Sequence, residues 1–139
     1  MDVSLLQRLI AMGRHSLLQY VAESCPWLSD QTRGEFADVL ALAAEEQAAI
    51  GKLIRCLQKK HVRPLLLGSY PAHFTLMNFV TVDFLVPKLI EENAAQVAEI
   101  EKCLALATGE ETHAAIQLYL DLKGRHLQTL TESRTPATV

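Results

Sequence analysis

Apolar side chains recur along this chain at intervals of three and four residues, in four blocks separated by clusters of Pro, Gly, Ser, Thr and Asp. The first block predicts a helix from about Val3 to Ser24, with Leu6, Ile10, Gly13, Leu17, Tyr20 and Ser24 on one face. Cys25-Pro26 ends it, because proline lacks an amide donor and disfavours a helical conformation in the residue before it. Ser29 or Asp30 caps a second helix, from about Asp30 to Lys60, whose seam reads Phe36, Val39, Ala43, Glu46, Ile50, Leu53 and Leu57. The third helix, about Thr75 to Ala107, carries Phe79, Asp83, Val86, Ile90, Asn93, Val97, Ile100 and Leu104, and bends at an internal Pro87. A left-handed stop at Thr108-Gly109 leads to the fourth helix, about Glu110 to Glu132. His113, Ile116, Leu120, Lys123, Leu127 and Leu130 form its seam, with Tyr119 and His126 beside them.

The pattern predicts one all-α domain over residues 1–132, a four-helix bundle, followed by a flexible tail at 133–139 that has no apolar face to bury. The segment from His61 to Thr75 holds Pro64, Gly68, Ser69, Tyr70 and Pro71 and is too long and punctuated for a tight hairpin, so it reads as a crossover. Its aromatics, with His73, Phe74 and the Pro26-Trp27 turn, either pack over the bundle or form a docking patch, and packing is the expected arrangement.

Composition narrows the classes. Half of the 139 residues are hydrophobic, enough for one continuous core. The net charge is −3 with both signs interspersed, which argues against a nucleic-acid partner. The longest apolar runs, such as Phe79 to Val86, are interrupted by Asp83 and fall short of the roughly 20 residues that span a membrane. Met1-Asp2-Val3-Ser4 has no basic-then-apolar signal pattern, so the expected location is cytoplasmic. Cys25, Cys56 and Cys103 stand far apart in no CxxC pair and read as reduced, packed thiols. No serine or cysteine has a His/Asp partner at catalytic spacing and no Gly-rich phosphate loop exists, so no catalytic residue is assigned.

The chemistry to explain is polar residues in apolar seams. Glu46 begins Glu46-Gln47-Ala48-Ala49, and Lys123 begins Lys123-Gly124-Arg125-His126. In helix order, crossover and seam spacing, residues 3–132 resemble the ferritin-like superfamily, most closely small bacterial rubrerythrin-like up-down bundles with two helical hairpins joined by a long crossover. The resemblance implies a di-metal site in which one Glu from each of two helices joins a Glu-x-x-His motif from each of the other two. Carried over residue by residue, the second-helix motif keeps Glu46 but has Ala49 for its His, and the fourth-helix motif keeps His126 but has Lys123 for its Glu. The family's offset of about 30 residues back from each motif lands on Gly13 and on or near Asn93.

Three arrangements stay open. Glu46, Asn93, Lys123 and His126 form a buried polar cluster; or the Lys123 ammonium snorkels to solvent; or Glu46 and His126, helped by Glu92 or Asp83, hold a single metal. The leading expectation is a non-catalytic structural, binding or oligomeric interaction protein without a cofactor, partnered by a second copy or another protein. The competing one is an iron- or manganese-binding oxidoreductase. A third is a bundle binding a small molecule beside Gly13 and Ala49.

Overall fold

The computed structural model describes residues 2–23, 37–65, 70–71, 74 and 82–134. Within them the chain is all-helical and carries no strand. It forms α1 (Asp2–Arg14), α2 (Leu17–Glu23), α3 (Ala37–Lys59), α4 (Val82–Leu106) and α5 (Glu110–Arg134). Charges complement the helix dipoles: Asp2, Asp38 and the pair Glu110 and Glu111 lie in first turns, Arg14 and Lys59 in last turns. Pro87 lies inside α4, as its position in the third apolar block implies. Cys25, Pro26, Trp27, Gly68, Ser69, His73 and Phe79, and the side chain of Asp83, lie outside the described residues.

Neighbouring helices run antiparallel. Ser16 meets Glu46 across α1–α2 and α3, Arg8 meets Glu99 and Asp2 meets Thr108 across α1 and α4, and Lys59 meets Glu111 across α3 and α5. The α4–α5 hairpin supplies the fourth antiparallel pair. It follows that α3 and α4, which both neighbour α1 and α5, run parallel. The chain between them must therefore return along the bundle, a distance of roughly 35 Å for a helix as long as α3.

The described parts of that connection trace the return. Gln7 of α1 donates to the Arg63 carbonyl and accepts from the Leu65 amide (2.9 and 2.8 Å). Tyr70 then lies edge-on to His15 and Tyr20, with ring centroids 5.9 and 5.2 Å apart, and Phe74 lies against Tyr20 at 5.6 Å. The described part of the crossover thus packs on the flank of α1 and α2. It leaves α3 through a Schellman turn in which His61, at φ 61°, takes the left-handed position that glycine commonly fills. The Val62 amide reaches back to the Leu57 carbonyl at 3.0 Å, while the Val62 side chain packs on the core.

Five expectations need correction. The first helix is two helices: α1 stops at Arg14 and α2 restarts at Leu17. Gly109 lies outside the left-handed region, and its turn is held by Asp2, whose carboxylate accepts from the Thr108 and Gly109 amides at 3.0 and 2.9 Å. In α4 the buried line is Leu89, Asn93, Gln96, Ile100 and Cys103, so Ile90, Val97 and Leu104 are only half-buried. In α5 it is Thr112, Ile116, Tyr119, Lys123, His126 and Leu130, which puts Tyr119 and His126 at the centre and leaves His113 exposed. The helix also continues through Arg134, past the expected start of the tail.

The core has three layers. Leu6, Leu9, Ile10, Leu53, Leu57, Ile100 and Ile116 centre one apolar cluster. Leu17, Leu18, Val39, Leu42, Leu85, Leu89 and Leu130 centre the other. Between them, at the level of the α1–α2 break, lies a polar layer.

Candidate functional site: a polar layer at the helix break

The break follows from a local sequence signal. Ser16-Leu17-Leu18-Gln19 has the Ser-x-x-Gln form of a capping box, and the Gln19 amide donates to Ser16 Oγ at 3.2 Å, as an N-cap requires. Restarting a helix inside the fold frees backbone amides that need acceptors. The first, of Leu17, donates to Glu92 Oε1 at 2.8 Å. An acid that apolar spacing alone places off the seam is thereby turned inward.

Glu46 is the hub. Its Oε1 accepts from the Ser16 hydroxyl (2.7 Å) and from Gln19 Nε2 (3.0 Å). Its Oε2 accepts from Lys123 Nζ (2.6 Å) and, at longer range, from the Tyr119 hydroxyl (3.4 Å). Glu46 and Lys123 are both wholly shielded from solvent. Gln19 extends the network outward, donating to the Ala43 carbonyl at 2.8 Å and accepting from Gln47 Nε2 at 2.9 Å. Each oxygen of the carboxylate thus has two donors, the satisfaction that a buried charge demands.

Asn93 and His126 are buried in the same layer, at 2% exposure each, but neither hydrogen-bonds to Glu46 or Lys123. Asn93 Nδ2, Gln96 Oε1 and His126 Nδ1 are buried without a hydrogen-bond partner. His126 Nε2 faces the exposed Glu45 carboxylate at 3.5 Å. Burial, reinforced by the Lys123 charge, holds the His126 imidazole below its ordinary value despite Glu45 and Glu46. Burial pushes Glu92 up, opposed by the Leu17 amide and Lys123. Burial, then Glu46, raises the Tyr119 phenol well above its ordinary value, so it stays a donor.

Of the positions named from sequence, Glu46 and Lys123 meet directly, and Glu92 joins the layer through the Leu17 amide and Gln96. Gly13 has no room for a side chain: a Cβ there would meet Ile50 Cδ1 at 2.7 Å and the Tyr119 hydroxyl at 2.8 Å. Ala49 lines a groove of about 230 Å³ between α3 and α5. Ser16, Gln19 and Tyr119 were not among the predicted site residues. The capping box signals the first two, and the three-four alternation through Ile116, Tyr119, Lys123 and His126 signals the third. Among the described residues, no group of three or more His, Cys, Asp and Glu side chains is arranged to hold a metal ion, and no helix is long and apolar enough to cross a membrane. Comparison with protein-family models, curated proteins and solved structures finds no match for the chain.

Proposed function

We propose that the chain is a ferritin-like bundle in which an ion-paired polar layer stands in place of a di-metal centre, and that it serves as a non-catalytic structural, binding or oligomeric interaction protein. The carrying observation is the Lys123 ammonium 2.6 Å from Glu46 Oε2, with both side chains wholly buried. Antiparallel neighbours and a connection returning along α1 and α2 support the ferritin-like connectivity.

The residues do not fit two metal ions. A cation already neutralises the one carboxylate of the α3 motif, Asn93 is neutral, and a carboxylate side chain at residue 13 would displace Ile50 and Tyr119. An ammonium among the ligand positions repels a divalent cation. The competing reading, an iron- or manganese-dependent oxidoreductase using Glu46, Glu92 and His126, draws its support from the bare Nδ1 of His126.

Metal analysis of protein purified from cells grown with added iron and manganese separates the two. The proposal expects substoichiometric metal that is insensitive to substitution in the layer. Stoichiometric iron or manganese that disappears in Glu46→Ala or His126→Ala would overturn it.

A further inference from the structure

On the outer side of the α1–α2 break lies a cavity of about 450 Å³, lined by Arg14, His15, Gln19, Glu23, Gln47, Ile50, Gly51, Ile54 and Tyr70. Its size lies within the range of small-molecule sites. We infer that this cavity binds a small organic anion, a carboxylate with a short apolar tail, the head on Arg14 and the tail over Ile50, Gly51 and Ile54. The inference goes beyond the proposed function and does not depend on what the polar layer holds.

The chemistry of the wall selects this class. Arg14 ends α1 and forms no ion pair among the described residues, so its planar fork of donors is free to take a carboxylate in two parallel hydrogen bonds. Glu23, the only acid among the described lining residues, already accepts the Tyr70 hydroxyl. It ends α2, nine residues further along the chain than Arg14, or roughly 13 Å at the helical rise. The Arg14 end of the cavity is therefore cationic. Ile50 and Ile54 lie one turn apart on α3 and supply an apolar floor.

Gly51 is the independent observation. It lies within the 23-residue α3, where glycine is less favourable than alanine, yet a Cβ there would meet nothing within 4 Å. No neighbour among the described residues requires the missing side chain. Its absence keeps the floor of the cavity open between the two isoleucines. Gln19 and Gln47, already bonded to each other, link the cavity wall to Glu46, so an occupant would touch the edge of the network without entering it.

The test is a titration of the isotopically labelled full chain with sodium octanoate, followed by amide chemical shifts. Octylamine, octanamide and inorganic phosphate are titrated in parallel. The expected result is saturable shifts centred on Arg14, His15, Gln47, Gly51 and Ile54 with octanoate only. Arg14→Gln should weaken octanoate at least about tenfold by removing a charge-assisted pair. Gly51→Leu, which fills the floor in a position free of described neighbours, should abolish binding while circular dichroism stays unchanged. Absence of saturable shifts at these residues, equal binding of octanamide, or octanoate affinity unchanged in both variants would overturn the inference. Phosphate binding as tightly as octanoate would show that the tail contributes nothing, and would overturn it equally.

Discussion

The two apolar clusters and the polar layer between them are equally buried, but they are held by different physics. Leu9, Leu53 and Ile116 are wholly excluded from solvent and depend on area and fit alone, so their neighbours are interchangeable in kind if volume is kept. Glu46 and Lys123 are equally excluded, yet each depends on the opposite charge of the other. A buried pair gains little over well-packed apolar side chains, because desolvation offsets the attraction, but it makes any lost partner expensive. The apolar ends thus supply stability, and the middle layer restricts which register of α3 and α5 is tolerated.

The largest effect expected from that contrast is at Lys123. Lys123→Met leaves Glu46 buried without its counter-charge and should lower stability by about 3–4 kcal/mol near neutral pH, read by chemical denaturation. Combining Glu46→Met with Lys123→Met should recover most of that loss. An effect of Lys123→Met within about 0.5 kcal/mol would place the ammonium in water and end the distinction between the layers.

The apolar side of the comparison is measured by Leu53→Ala, expected to cost about 3 kcal/mol by removing buried methyl groups and leaving a cavity. No partner substitution of the Lys123 kind should rescue it. Recovery would have to come from added volume nearby, such as a larger side chain replacing Ala115.

Ser16→Ala follows, at about 1–2 kcal/mol, since it removes both the cap of α2 and one of the donors to Glu46. The same residue marks where sequence reading fell short. The apolar spacing of Leu6, Ile10, Gly13, Leu17 and Tyr20 runs unbroken across the interruption, because the two helices keep one buried face. Periodicity therefore reported the face and not the break. Glu46 and Lys123 were legible because a charge in an apolar seam is conspicuous. Glu92 was named from sequence only as a helper to a metal, because its inward turn answers to an amide that exists only once the helix has broken. The one-residue shift of the α4 seam, to Leu89 and Gln96, was hidden by adjacent apolar pairs such as Leu89-Ile90 that fit either register. Gly109 misled for a different reason: its turn is stabilised by Asp2, 107 residues earlier in the chain, which local sequence does not reveal.

Acid titration distinguishes the layer from the molecule's ends by smaller effects. His126 is held below its ordinary value of 6.5, so between its lowered native value and 6.5 the unfolded chain binds more protons than the native one, and stability falls as pH falls through this window. Glu92 is raised and contributes with the opposite sign above its ordinary value of 4.5, because there the native state binds the extra proton. His126→Leu should remove the falling limb and leave the Glu92 contribution exposed, which stability curves against pH would show. Asp2 lies at the far end of α1 and is drawn down to about 2 by the Thr108 and Gly109 amides. Its contribution is complete above the ordinary value of 3.8 and is lost as pH falls through about 2. After discounting for solvent screening it should amount to about 1 kcal/mol, and Asp2→Asn should remove that acid limb without altering the His126 limb below pH 6.5. If Asp2→Asn also flattened the His126 limb, the layer and the α4–α5 turn would titrate as one unit, and the separation between a specific middle and generic ends would fail.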